Sequence, residues 1–472
     1  MGRLQSKHLS NTCNSMATIL IDPFPAMGHY NGSLGLAKIL RDRGHTVVYT
    51  GLPMYAEKLE RAGYEFHKTG FIIPVITKEN FLTCWFDGFI SLFNNTCLKE
   101  AIKSSEQYDT LIEKVKPDLI LLDVFQLPKA VAYKKHDVRV VGFDIMVAAS
   151  YAPNIPPYGT AFIPKNSYMS KKYVDWQWFL YDFRNFSKHF LLKILYFGND
   201  RYSLYRKIGK INHVPLEKWS AVKRICSLKI VPKDFYELIL TPKCFDFPRP
   251  HKEQIIYVES NINKRDEVVS NLRYLSIRDS IVKLKKTYPD MKFIFVSIGT
   301  VSGNTPKREA RFIQILIDYC RKYNDHRFVF SIGNNFNINA LQSVPESLYI
   351  FNHVPQLDIL KYCDFMITHG GMNSLTECIV NEVPVIVYPL LVGNPIWDQN
   401  GNSARAVYHG IGVRGKISTM TPANLRKKIN KICSNYDFYK HNIKSMKEKL
   451  NIDTVADRAI TIIESLLNKT AI

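Results

Sequence analysis

Short apolar runs, each ending on an acidic or small polar residue, recur along the chain and alternate with stretches of helical spacing. The first run, Ala17–Asp22 (ATILID), predicts a strand. A Pro/Gly loop follows, PFPAMGHYNG, and then LGLAKILRDRG, which puts Leu36, Ile39 and Leu40 on one helical face and Gly44 at a C-cap. HTVVYT, KPDLILLD and DVRVVGFD read as further buried strands. Runs this continuously apolar are buried on both faces, the habit of strands in a parallel sheet covered by helices. The second half repeats the alternation in FIFVSIGT, RFVFSIG, LYIFNHVP, FMITHGG and VPVIVYP, before a lysine-rich helical end.

The pattern predicts an α/β protein of two doubly wound, Rossmann-like domains facing each other across a cleft. Residues 1–15 form a polar leader, expected to be disordered or to precede a native start at Met16. Residues 16–260 form the first domain, 261–290 a charged linker, 291–440 the second domain, and 441–472 helices that pack back across the cleft. Within the first domain, 151–205 is dense in aromatics, among them Tyr173, Trp176, Trp178, Phe183 and Phe190. This insertion is expected to be mostly helical core or lid, with a part lining an apolar pocket.

Composition narrows the function classes. The nine cysteines include no CxxC pair, which argues against a zinc site or a disulfide framework and for a reduced, cytoplasmic setting. No apolar run is long enough to span a bilayer; the nearest, Trp176–Gly198, is broken by Asp182, Arg184, Lys188 and Lys193. The net charge of +21 is spread along the chain without a nucleic-acid-binding motif, so no nucleic-acid partner is expected. Compositional drift is the plainer reading of that charge, and a basic face that attracts an anionic cofactor or, weakly, an anionic membrane surface the second. Oligomeric state is not readable from these features.

The chemistry concentrates in THGGMNSLTECIVNEVPVIVYP, Thr368–Pro389. His369 to Asn373 lie at the carboxyl end of a strand, where ligands of open α/β sheets bind. Gly370 and Gly371 let the backbone approach an anion, and Asn373 and Ser374 fall in a first helical turn whose N–H groups lack intrahelical partners. His369 supplies a further donor. Glu377, three residues after Ser374, has the wrong charge for a phosphate but suits a pair of ribose hydroxyls. The competing reading is a plain strand–helix turn with a capping Asn or Ser, worth about 1 kcal/mol.

The whole segment HVPQLDILKYCDFMITHGGMNSLTECIVNEVPVIVYPLL…WDQNGNSARAVYHGIGV, His353 to Val413, resembles the nucleotide-binding signature of the UDP-glycosyltransferases, enzymes of GT-B fold. The resemblance implies roles position by position. Val354 would bind uracil through its backbone and Gln356 the ribose. His369, Asn373 and Ser374, with the backbone at Gly371, would hold the diphosphate, and Glu377 the ribose hydroxyls. Asp398 and Gln399 would contact the sugar, and Thr300, in SIGT, would lie near the phosphates. Two departures stand out. His353 occupies the position where the family has a tryptophan stacked on uracil, so less stacking area is offered. LLVGNPIWDQ is longer than the family's spacing before the acidic–Gln pair.

FPAMGHYNG resembles the family's first loop, which carries a catalytic histidine, here His29. An acceptor hydroxyl is a poor nucleophile until a base takes its proton, and a histidine titrates near working pH. An orienting carboxylate would fix its tautomer. Asp123 ends a strand on the same crest and matches the family's aspartate; Asp22 and Asp144 also end strands and are weaker rivals.

The implied reaction is inverting transfer of a hexose, glucose first among them, from a UDP-sugar to a small lipophilic or aromatic acceptor. The UDP-sugar is a co-substrate. No resident cofactor or metal is expected, since no D-x-D pair is present to hold a cation on a diphosphate. The alternatives are a UDP-sugar epimerase of the same architecture and a non-catalytic nucleotide-sugar-binding protein.

Overall fold

The computed structural model describes residues 16–77, 79–214, 236–260, 269–299, 305–333, 336–338, 341, 343–391, 397–450 and 452–468. The leader 1–15, Thr300 and residues 392–396 of the long LLVGNPIWDQ spacing lie outside the described residues.

Two parallel sheets organise the chain. The first contains β1 (Thr18–Asp22), β2 (Thr46–Gly51), β3 (Glu65–Lys68), β4 (Leu119–Asp123), β5 (Arg139–Asp144), β6 (Glu237–Ile239) and β7 (Ile255–Tyr257), in the order β3-β2-β1-β4-β5-β6-β7. The second contains β8 (Phe293–Ser297), β9 (Arg327–Ser331), β10 (Leu348–Phe351), β11 (Phe365–Thr368), β12 (Val385–Val387) and β13 (Gly412–Arg414), in the order β10-β9-β8-β11-β12-β13. Every residue of β4, β8 and β11 is buried, as both-face coverage by helices requires. Strand order reverses between β1 and β4 in one sheet and between β8 and β11 in the other. Those reversals open the crevices that α/β sheets use for ligands.

Four strands escaped the sequence reading. β3, β6, β7 and β13 are three or four residues long, and pairing with a neighbouring strand defines them. The expected linker also differs. Within 261–290 lies the helix Leu272–Thr287, capped by Asn271, whose Oδ1 accepts from the Tyr274 N–H at 3.0 Å. Only Tyr274 and Ile281 are buried along it, an apolar stripe too thin to show as periodicity.

The aromatic insertion requires a correction. The helix Tyr168–Leu195 buries Val174 and Trp178, with Trp178 Nε1 donating to the Ile155 carbonyl at 2.7 Å. Trp176, Phe179, Phe183 and Phe190 instead point outward, each more than half exposed. The helix is apolar around most of its circumference, so sequence could not say which side would be buried.

Several contacts join the two halves. The terminal helix Val455–Asn468 packs on the helix Met27–Asp42, where Ile460, Ile463 and Leu466 enter the cluster that holds Leu36 and Leu40. The helix Gln399–Tyr408 sends Arg405 to Asp246 across a 2.8 Å ion pair with both side chains about 1% exposed. Burial pushes the Asp246 carboxyl up, but Arg405 and Arg249 hold it below its ordinary value. In the same helix, a Cβ on Gly401 would stand 1.6 Å from the Tyr158 carbonyl oxygen, so only glycine admits this backbone contact.

Candidate active site

At the first crevice β1 runs through a short loop into the helix Met27–Asp42, which places His29 in its first turn. β4 ends on Asp123, which caps the 3-10 turn Val124–Lys129. His29 Nδ1 and Asp123 Oδ2 are 2.7 Å apart, and Asp123 Oδ1 accepts from the Phe125 N–H at 2.9 Å. Both carboxylate oxygens are therefore committed. Phe24 and Phe125 flank the imidazole at 5.2 and 5.5 Å between ring centroids. Burial lowers the affinity of His29 for a proton, yet Asp123 outweighs it through charge and hydrogen bond, and the pKa stands above the ordinary histidine value. With Nδ1 engaged, Nε2 has no hydrogen-bond partner among the described residues.

The two rival aspartates serve elsewhere. Asp22 is locked in a buried network with Lys129 at 2.8 Å, Tyr133 at 2.7 Å and Gln126 at 3.2 Å. Asp144 accepts from the Met146 N–H at 2.9 Å, which holds the turn after β5.

At the second crevice β11 ends at Thr368, and Gly370 takes φ +89°, a conformation that L side chains rarely adopt. The helix Met372–Val380 starts after Gly371 with no side-chain cap, so Asn373 and Ser374 occupy a first turn whose N–H groups the chain leaves uncapped. Neither Asn373 nor Ser374 acts as the cap. The His369 ring lies against two glycines: a Cβ on Gly299 would meet its Cε1 at 2.2 Å, and one on Gly371 its Nε2 at 2.6 Å. Burial lowers the His369 pKa to about 4, so the ring is neutral at pH 7. Its Nδ1 is buried without a hydrogen-bond partner among the described residues. A buried polar atom in that position is costly unless something arrives to satisfy it.

Further along, Gln356 Nε2 donates to Glu377 Oε2 at 2.6 Å and to Ser374 Oγ at 3.1 Å, tying three of the expected donor-site residues into one cluster. Val354 is buried. His353 is exposed and lines a cavity of about 400 Å³ together with Arg273, Phe351 and Asn352. Gln399 turns its Oε1 toward the Leu390 and Leu391 N–H groups, at 2.9 Å each, and so braces the loop after β12. Asp398 accepts from Asn402 Nδ2 at 2.7 Å; burial raises its pKa to about 6. Asn402, which the sequence reading did not single out, also donates to the Gly370 carbonyl at 2.9 Å. Its i, i+4 spacing from Asp398 was the one available signal.

The crevices meet. Asn373 Nδ2 donates to the Gly28 carbonyl at 2.9 Å, beside His29, and Gly32 keeps the approach open, since a Cβ there would lie 3.2 Å from Asn373 Oδ1. The amino ends of the helices Met27–Asp42 and Met372–Val380 thus abut, with the His29–Asp123 pair on one side and the His369 turn on the other. Asp398, from the second half, also helps to raise the His29 pKa. Among the described residues, no group of three or more His, Cys, Asp or Glu side chains is arranged to hold a metal ion.

Residues 237–467 match the family described as UDP-glucoronosyl and UDP-glucosyl transferase. The chain carries a UDP-glycosyltransferase domain. It is 25% identical over 451 residues to the NDP-glycosyltransferase YjiC of Bacillus subtilis, spanning 95% of this chain and 97% of that one. Among solved structures it resembles the glycotransferase of kitacinnamycin, with a TM-score of 0.67 at 20% identity, covering 96% of this chain and 99% of the other. CalG4, the calicheamicin glycosyltransferase, matches at a TM-score of 0.62 and 16% identity, over 97% and 100%. At these identities the structures establish the fold, which is GT-B: two parallel-sheet Rossmann-like domains. The chain is a glycosyltransferase, and no helix among its described residues is long and apolar enough to cross a membrane.

Proposed function

We propose that this glycosyltransferase moves a hexose, glucose first among the candidates, from a UDP-sugar to a hydroxyl of a small lipophilic or aromatic acceptor, with inversion at the anomeric carbon. One observation carries the reading: a histidine held by a buried aspartate at 2.7 Å stands across a single interdomain hydrogen bond from an uncapped helix amino terminus.

In the proposed mechanism Asp123 keeps the proton of His29 on Nδ1, so Nε2 presents its lone pair to the acceptor hydroxyl. The hydroxyl oxygen attacks the anomeric carbon as its proton passes to Nε2, and the bond to the diphosphate breaks on the opposite face. Asp123 stabilises the resulting imidazolium. General-base help of this kind contributes roughly 10²–10⁴-fold. Negative charge grows on the departing diphosphate. The N–H groups at Asn373 and Ser374 and the unpaired Nδ1 edge of His369 are fixed dipoles suited to it, without reorganisation and without a metal ion. The neutrality of His369 matters in this role: the ring donates one hydrogen bond, set by its tautomer, and does not trap the product by a full charge.

On the donor side, Gln356, Ser374 and Glu377 are proposed to meet the ribose and the inner phosphate, with His353 at the base. Asp398 and Gln399 are assigned the sugar, and Thr300 the phosphates. The seven described cysteines are free thiols, in keeping with a cytoplasmic setting.

The test is product analysis with UDP-glucose and a panel of alcohols and phenols, with and without EDTA. The expected result is a β-linked glucoside and stoichiometric UDP, unaffected by EDTA and lost in His29→Ala. Loss of turnover with EDTA and recovery with Mg²⁺ would end the metal-free proposal. Consumption of UDP-glucose without UDP release would point to the epimerase instead.

A further inference from the structure

We propose that the outward face of the helix Tyr168–Leu195, continued by the helix Phe81–Asn94, docks this glycosyltransferase onto an anionic lipid surface. Along the longer helix, Met169, Trp176, Phe179, Phe183, Leu191 and Ile194 are each more than half exposed, while Val174, Trp178 and Asn185 on the opposite side are buried. The shorter helix adds Leu82, Phe86, Leu92 and Phe93, also more than half exposed.

The two faces are one surface. Phe197, just past the longer helix, packs on Trp85 and Phe89 at 5.6 and 5.5 Å between ring centroids. Asn199 Nδ2 donates to the Gly88 carbonyl at 3.1 Å, and a Cβ on Gly88 would stand 3.1 Å from the Tyr196 carbonyl. At half exposure, side chains of this size leave on the order of 1,000 Å² of apolar area in water. Monomeric proteins rarely leave more than a few hundred Å².

Charge and composition favour lipid over a protein partner. The helices Tyr168–Leu195 and Arg201–Ile211 together hold nine Lys and Arg against two Asp, and Asp87 is the one acid on Phe81–Asn94. Lys171, Lys172, Arg184, Lys188 and Lys193 are exposed among the aromatics. Lysine is depleted from the cores of protein interfaces. At a membrane surface it is favoured, because its stem lies along the acyl boundary while its ammonium meets lipid phosphate. Exposed Trp and Phe suit that boundary as well. The net charge of +21 draws the molecule toward an anionic surface before contact.

The location connects this surface to the cleft. The buried side of the long helix bonds to Ile155, and three residues on, the Tyr158 carbonyl touches Gly401 in the helix that starts at Gln399. A lipid-bound face would lie one layer from the cleft, so an acceptor dissolved in the bilayer has a short route to it. Only that last step rests on the proposed function.

The test is flotation of the full chain with phosphatidylcholine vesicles, with and without 30% phosphatidylserine, together with light scattering of the protein alone. The expected result is co-flotation with the anionic vesicles, weakened by salt, with a blue shift of tryptophan emission. The double variant Trp176→Glu/Phe183→Glu should lose at least tenfold in vesicle binding while its melting temperature and its UDP-sugar turnover on a water-soluble acceptor stay unchanged. Lys188→Gln should weaken binding roughly fivefold. Wild-type protein that stays in the aqueous phase at both compositions overturns the proposal. So does a dimer that the double variant dissociates without any lipid binding, which would assign the face to a second copy. Vesicle binding needs no turnover, so a catalytically dead but lipid-binding protein would refute the transferase reading alone.

Discussion

Replacing Asp123 by asparagine tests the catalytic assignment through a geometric constraint peculiar to this site. Asp123 Oδ1 accepts from the Phe125 N–H at 2.9 Å, and Oδ2 faces His29 Nδ1 at 2.7 Å. An asparagine at this fully buried position must keep its carbonyl toward Phe125, or lose that bond and set two donors against each other. Its amide NH₂ then faces His29 Nδ1 and donates to it. The ring is forced to carry its proton on Nε2, where the acceptor hydroxyl needs a lone pair. Removal of the carboxylate also lets burial dominate, so the His29 pKa falls. The variant should fold, with a stability loss of about 1–3 kcal/mol. Its kcat should drop roughly 10³–10⁴-fold, about 4–5.5 kcal/mol of barrier, with KM for the UDP-sugar little changed. The assay is UDP release at saturating acceptor between pH 6 and 9. The acid limb of wild-type kcat/KM should lie above the ordinary histidine value, because base strength is gained as His29 loses its proton. A folded Asp123→Asn enzyme that keeps more than a tenth of wild-type kcat would refute the assignment of His29 as base.

Three further outcomes follow from the packing and the titrating groups. Gly401→Ala inserts a Cβ 1.6 Å from the Tyr158 carbonyl, so the two halves must separate locally; a cost of about 1–3 kcal/mol in urea unfolding is expected, and an unchanged midpoint would contradict the contact. Lys129→Met strands the fully buried Asp22 carboxylate and should cost about 3–5 kcal/mol, read by thermal and chemical unfolding. His369, at about 4 when folded against an ordinary 6.5, makes the unfolded chain bind more protons between those values. Its contribution, about 3 kcal/mol, is full above pH 6.5 and is lost as the pH falls toward 4. The raised Asp398 acts with the opposite sign over the lower part of that window. The stability difference between wild type and His369→Asn should therefore shrink on acidification from pH 6.5 to 4, and a pH-independent difference would count against the buried neutral imidazole.

The sequence by itself determined the class of fold, because strands such as LILLD and FIFVS are apolar at every position and only a doubly covered parallel sheet accepts that. It marked the His369–Gly371 turn as a candidate anion site as well, since two adjacent glycines between a strand and a helix let the backbone come close to a ligand. What it could not decide was partnership over long separations. Three aspartates end strands in the first half, and nothing local distinguishes them; tertiary packing gave Asp22 to Lys129, Asp144 to its own turn and Asp123 to His29. The meeting of Asn373 with Gly28 across 345 positions and the tie between Asn402 and Gly370 are likewise products of two sheets docking. The long aromatic helix shows the same limit from the other side. Its apolar residues encircle it, so hydrophobic pattern alone left core and lid both open, and only the placement of Trp178 against Ile155 turned the remaining face outward. Burial depends on which surface arrives to cover a residue, and that surface comes from distant parts of the chain.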